Sequence, residues 1–153
     1  YGPTVPFSFY LFRAASRIGA YELVWPRLEA WAGMLASGTT TWFERPEPSR
    51  SDCHAWSSWI LRDFFTELLG IRPLQPGYTE VLVRPQLVDG LDHASGRLPT
   101  PAGDVHVRWV REETSFVEFE IDLPPACRSG RLEIGGQKAK LQAGLNSIRV
   151  ALA

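Results

Sequence analysis

The stretch 105–123, VHVRWVREETSFVEFEIDL, decides the fold of the second half of the chain. Val105, Val107 and Trp109 alternate with His106 and Arg108, and Val117, Phe119, Ile121 and Leu123 alternate with Glu118, Glu120 and Asp122. A period of two sends apolar side chains to one face of a strand and charged ones to the other, so two strands with one wet face are predicted. Residues 112–115 supply the turn of the hairpin.

Toward the C-terminus, Leu132 and Ile134 precede a Gly135-Gly136 turn, Ala139 and Leu141 follow it, and Ile148, Val150 and Leu152 close the chain beyond a turn around Asn146. Toward the N-terminus, Glu80 to Arg84 reads as a strand stopped by Pro85, and Ile71 to Gly77, with Pro73 and Pro76, reads as a linker. Many short alternating strands with regular turns predict an antiparallel β-sandwich.

Before the linker the period changes to that of helices. Phe7, Tyr10, Leu11, Ala14, Ala15 and Ile18 recur at helical spacing between a start at Thr4 and Pro6 and a stop at Gly19. A second helical segment covers about 21–35, with Arg27 and Glu29 facing water and Pro26 kinking it or dividing off its first turn. A third carries Trp56, Trp59, Ile60, Phe64 and Leu68 with Leu61, Phe65 and Leu69 beside them. That apolar sector is wide enough to predict burial on most sides, up to a left-handed stop at Gly70. The fold class is therefore helices first and strands second.

The 153 residues carry a formal net charge of −1 with sixteen scattered Lys and Arg, which argues against a nucleic-acid partner. No run approaches the roughly 18 apolar residues of a membrane span, so no membrane partner is expected. Cys53 and Cys127 form neither a disulfide framework nor a metal spacing and are expected as free thiols, which leans toward a reducing compartment without excluding secretion. No metal or cofactor is expected. The start YGPTVPFSF, without an initiator Met, reads as a cut through a longer protein, so a targeting signal would lie upstream. Six Trp are compatible with sugar stacking as well as with cores.

The chemistry-bearing residues gather in residues 38–59, GTTTWFERPEPSRSDCHAWSSW. Glu44 follows Trp42 and Phe43, where desolvation would raise its pKa toward that of a general acid or base; alternatively it is a surface Glu paired with Arg45. Pro46 and Pro48 stiffen the loop. Asp52 reads as a helix N-cap, and His54 either meets a bound hydroxyl or is a cap histidine. Trp42, Trp56 and Trp59 could stack on a sugar, although Trp59 has the spacing of a core residue. Cys53-His54 lacks an orienting partner for a nucleophile. His93 and His106 have no ligand partners at metal spacing and read as exposed structural histidines.

The succession PTVPFSFYLF, GTTTWFE, SDCHAWS, LLGIRPLQPGY and VLVRPQL resembles the C-terminal portion of the bacterial α-L-rhamnosidase family of inverting glycoside hydrolases, over the chain up to about Val110. The resemblance implies residues 1–72 as the terminal helices of an (α/α)6 six-hairpin barrel and 73–153 as the β-sandwich. It further implies Glu44 as the general base that activates water, and His54 and Trp42 as residues contacting the rhamnoside. About three of twelve helices are present, so the rest of the barrel and the general acid are expected upstream and the isolated chain is expected to be inactive. Inverting hydrolysis needs two carboxyl groups roughly 6.5–9.5 Å apart. Trp31, Trp56, Trp59 and Phe64 are candidates for apolar surface that missing helices would cover. The alternatives are a structural or carbohydrate-binding β-sandwich module and a six-hairpin hydrolase for another sugar.

Overall fold

The computed structural model describes residues 2–45, 48, 50–112 and 115–152. Pro46 of the expected stiff loop, and residues 113 and 114 of the expected hairpin turn, lie outside the described residues. The chain divides into two compact units, Tyr1–Asp63 and Phe64–Ala153.

In the first unit, α1 (Ser8–Ile18) ends as the sequence predicts, at Gly19 with φ 73°, a left-handed conformation that a residue without Cβ adopts at little cost. The segment 21–35 is divided rather than kinked. Two 3-10 turns, Tyr21–Leu23 and Trp25–Leu28, precede α2 (Glu29–Ala36), because Pro26 has no N–H for an α-helical bond. Arg27 and Glu29 face water as expected. Phe12 is fully buried among Tyr21, Trp31 and Trp59, with ring centroids 5.6, 6.4 and 4.8 Å away and all three pairs near edge-on, the arrangement that ring quadrupoles favour. Each indole N–H finds a carbonyl: Trp31 donates to Ser57 at 2.9 Å and Trp59 to Val5 at 3.1 Å.

The third helical stretch corrects the sequence reading. It is a 3-10 turn (Ala55–Trp59), then α3 (Ile60–Asp63), which closes the first unit; a single π-type turn (Phe64–Leu68) opens the second. Burial does not follow the wide apolar sector: Asp63 and Glu67 are inside, whereas Trp56, Leu61 and Phe64 are exposed. The reason is that each acid has partners. Asp63 accepts from Arg13 and, at 3.0 Å, from the Tyr21 hydroxyl. Glu67 accepts from Arg72, whose Nε also reaches the Thr66 carbonyl at 2.9 Å. Of the four aromatics nominated as uncovered surface, Trp56 and Phe64 are exposed, while Trp31 and Trp59 are core.

The second unit holds two four-stranded sheets. One has the order β1 (Ile71–Pro73), β2 (Glu80–Val83), β6 (Ser129–Ile134), β7 (Gln137–Leu141); the other has β3 (His93–Thr100), β4 (Gly103–Glu112), β5 (Phe116–Leu123), β8 (Gly144–Ala151). Their inward faces share one apolar core, Val81, Val83 and Leu132 from the first sheet against Val107, Trp109, Phe119 and Ile121 from the second. Trp109, fully buried, donates its indole N–H to the Leu68 carbonyl at 2.8 Å.

The predicted hairpin forms as β4–β5, with Val107 opposite Ile121 and Trp109 opposite Phe119. The Gly135-Gly136 turn also forms, with φ of 53° and 75° at its two residues, a pair of left-handed conformations that glycine adopts without a Cβ penalty. Three features differ. Residues 71–73 are not linker but an edge strand antiparallel to β2, so the boundary read at 72/73 from the sequence compares with a structural division between Asp63 and Phe64. The sandwich is not purely antiparallel, because β2 and β6 run parallel from Glu80↔Ser129 to Val83↔Leu132. The chain reaches that pairing only after building β3, β4 and β5 of the other sheet, the long crossover a parallel pair requires. Asn146 lies within β8 rather than at a turn; its amide donates to the Gln142, Gly144 and Ile121 carbonyls and secures the strand's start.

Gly70 is the expected left-handed stop, with φ 78°. A Cβ there would overlap the Arg84–Pro85 backbone, and the Gly70 carbonyl accepts the Arg84 N–H at 2.9 Å. The position requires glycine twice over, for its dihedral and for the close approach.

Candidate active site

The segment 41–44 runs beside 51–54. Glu44 donates its N–H to the Ser51 carbonyl at 2.9 Å, His54 donates to the Trp42 carbonyl at 2.7 Å, and the Thr41 hydroxyl donates to the Asp52 carbonyl. Two outside anchors hold the pair. Val5 N–H donates to the Glu44 carbonyl at 3.0 Å, and the buried Ser57 hydroxyl donates to the Phe43 carbonyl at 2.6 Å. These bonds bring together three residues predicted from the sequence, Trp42, Glu44 and His54.

Glu44 is 6% exposed. Its pKa is lowered, the reverse of the expectation, because Arg50 hydrogen-bonds the carboxylate; burial pulls the other way and loses, and the charges of Arg50, His54 and Arg45 add to the lowering. The ion-pair alternative is also corrected in its partner: the hydrogen-bonded cation is Arg50, not the adjacent Arg45. Arg50 Nε lies 2.8 Å from Oε2 while Nη2 reaches Oε1, a two-pronged contact. A carboxylate so held is ionised at neutral pH and can accept a proton from water.

His54 and Trp42 are half-buried. His54 occupies the cap position of the Ala55–Trp59 turn with φ −116°, and no side chain caps that turn. Asp52 is thus not the N-cap; it is exposed and two residues too early. Trp59 is core, and Trp56 is exposed beside Phe7 and Tyr10 at 5.6 and 6.0 Å between centroids. Cys53 is an exposed free thiol. Cys127 is a buried one whose pKa burial pushes up. His93 and His106 are exposed on β3 and β4, as expected. Arg50 is the residue that sequence reasoning missed. The signal for it is the pairing of 41–44 with 51–54, which brings an arginine, six residues on, to the Glu44 carboxylate.

The family of the bacterial alpha-L-rhamnosidase C-terminal domain matches residues 70–142. An alpha-L-rhamnosidase of Alteromonas sp. (strain LOR) is 32% identical over 126 residues, covering 69% of this chain and 14% of that protein. Another, from Formosa agariphila, is 28% identical over 129 residues, covering 75% of this chain and 13% of that protein. The chain therefore spans a small fraction of the length of these relatives. Among solved structures, the alpha-L-rhamnosidase from Dictyoglumus thermophilum superposes with a TM-score of 0.82 at 18% identity, covering 97% of this chain and 21% of that one, a likeness of fold. With the sandwich matched as a family domain and two curated relatives of one name, the chain belongs to the bacterial α-L-rhamnosidase family, as a C-terminal portion.

Proposed function

We propose that these residues serve an α-L-rhamnosidase that removes terminal α-L-rhamnosyl residues with inversion, with Glu44 as general base and with His54 and Trp42 against the sugar. In this reading the helices of the first unit are the closing helices of an (α/α)6 barrel, and the strands from Ile71 onward are its β-sandwich. The carboxylic acid that protonates the leaving oxygen comes from the part of the relatives' length that this chain does not span, and so the chain alone does not turn over. The observation that carries the reading is the buried, ionised Glu44 held by backbone bonds next to His54 and Trp42. A base must be deprotonated at working pH, and the Arg50 contact secures that.

The reaction follows from two carboxyl groups in opposite protonation states. Glu44 takes a proton from water as the water attacks the anomeric carbon, while the distant acid gives one to the departing oxygen, so the configuration inverts. His54, with a ring nitrogen able to donate or accept, suits a sugar hydroxyl, and the Trp42 indole suits an apolar sugar face.

The test uses an enzyme containing this chain together with the rest of the relatives' length, acting on an aryl α-L-rhamnoside. Glu44→Gln keeps size and hydrogen bonding but not basicity, so kcat falls by about 10²-fold or more while binding survives. His54→Ala raises KM more than it lowers kcat. Near-normal kcat for Glu44→Gln removes Glu44 from the role, and a first-formed product of retained configuration overturns the water-activating mechanism.

A further inference from the structure

Arg50 stands out because its exposure and its contact point in opposite directions. Its side chain is 73% exposed, yet its tip is committed to a carboxylate that is 8% exposed. An exposed arginine retains most of its rotamer freedom unless something holds it, and an exposed ion pair is worth little to the fold. The contact here is nonetheless specific: Nε to Oε2 at 2.8 Å and Nη2 to Oε1, so both prongs of the fork meet both oxygens. The backbone sets this up, since the Glu44 N–H bonds the carbonyl of Ser51, the residue next to Arg50.

We propose that Arg50 is a positioning residue for the Glu44 base, its planar guanidinium fixing the rotation of the carboxylate so that a remaining acceptor site on each oxygen faces outward for the attacking water. This inference rests on the reading of Glu44 as the base. A carboxylate offers about four acceptor sites, and a fork takes two of them, so the contact orients without blocking. A lysine would supply the charge but only a point contact, leaving the carboxylate plane free to turn. Among the described residues, the charged groups acting on Glu44 are Arg50, His54 and Arg45, and the hydrogen bond from Arg50 is the largest influence on its protonation. Removing Arg50 therefore has two consequences, a misaligned base and one that takes up a proton at higher pH.

The experiment measures kcat and kcat/KM against pH for wild type, Arg50→Gln, Arg50→Lys and Glu44→Gln in the same full-length context, with thermal unfolding in parallel. For Arg50→Gln, kcat falls by up to about 10²-fold, the loss expected of a misplaced reacting group, with KM much less changed. Its acid limb of kcat/KM moves to higher pH. A purely structural arginine would lower the unfolding temperature and leave that limb in place. Arg50→Lys keeps its acid limb closer to wild type but still loses kcat. Wild-type kcat and acid limb in Arg50→Gln, with Glu44→Gln inactive, overturn the role of Arg50 and leave that of Glu44 intact. An active Glu44→Gln overturns the base itself. Should Arg50→Gln fail to fold, Arg50→Lys decides: reduced kcat at near-normal KM supports the fork, and wild-type kcat refutes it.

Discussion

Trp109 in the strand unit and Asp63 in the helical unit are both fully buried, and they hold their surroundings by different means. Trp109 sits among alternating aliphatic side chains, and its one polar atom bonds the Leu68 carbonyl. Asp63 is a charge inside, made tolerable by Arg13 and the Tyr21 hydroxyl. The partner of Trp109 across the β4–β5 hairpin, Phe119, follows from local alternation. Arg13 is fifty residues from Asp63, and no local pattern announces it. Hydrocarbon burial is a repeated local decision, whereas ion-pair burial depends on one distant contact.

The largest effect is expected where hydrocarbon dominates. Trp109→Ala empties the centre of the sandwich and strands the Leu68 carbonyl, costing about 3–5 kcal/mol as buried Trp truncations do. Chemical denaturation of the 153-residue chain, with hydrogen exchange read separately at amides of β4, β5 and β8, measures it. A loss under about 1 kcal/mol would contradict the burial on which the comparison stands.

The same contrast decides what was legible. β4, β5 and the β6–β7 hairpin could be read because their inward positions are Val, Ile, Leu, Phe and Trp, with Ala139 of β7 beside a Gly-Gly turn. β3 could not: its inward positions are Ala94, Gly96 and Leu98, with Pro99 beside them, and the strand forms because β4 offers a full edge from His93↔Val110 to Thr100↔Gly103. β1 is three residues long, from Ile71 after Gly70 to Pro73, and is recruited by β2. The parallel β2–β6 pair joins residues some fifty apart, beyond any window. In the helical unit, the span and stop of α1 were legible from helical spacing and one glycine but its inward face was not: Phe12, Ala15 and Ser16 are buried, whereas Phe7, Tyr10, Leu11 and Ile18 of the expected apolar stripe are exposed. The stretch 55–68 was misread because its inward face is chosen by Arg13, Tyr21 and Arg72 rather than by hydrophobicity. At the candidate site, Trp42, Glu44 and His54 were nominated from residue type, order and resemblance. Arg50 was not, because pairing across a loop with two prolines is a matter of register.

A smaller effect is expected from the charge. Asp63→Asn keeps the shape and can still accept from Tyr21 but loses the charge that holds Arg13, so it costs about 1.5–3 kcal/mol, the range for hydrogen bonds to charged groups. The Arg13 side chain is 18% exposed and retains some access to water, which limits the loss. Hydrogen exchange at amides of α1 and α3 is the measurement. Faster exchange confined to β4 and β5 would break the assignment of Asp63 to the helical unit's stability.

The smallest effect is at the candidate site, where the pair Glu44–Arg50 is buried on one side only. The folded Glu44 has its pKa lowered by the hydrogen bond from Arg50, so the folded state binds its proton less readily than the unfolded chain does. The stabilisation is therefore present in full above the ordinary glutamate value and is lost as pH falls through the lower folded one. Glu44→Gln and Arg50→Gln both remove it, so their deficit in unfolding temperature relative to wild type is constant near neutral pH and shrinks on acidification. Salt shrinks it too, because Arg50 is 73% exposed and open to screening. Thermal unfolding of the three proteins from about pH 7 to about pH 3 follows the gap across the carboxylate range. A gap that widens toward acid would mean that Glu44 is protonated more easily when folded, as desolvation behind Trp42 and Phe43 would have it. The base would then be held by its aromatic neighbours and not by the arginine.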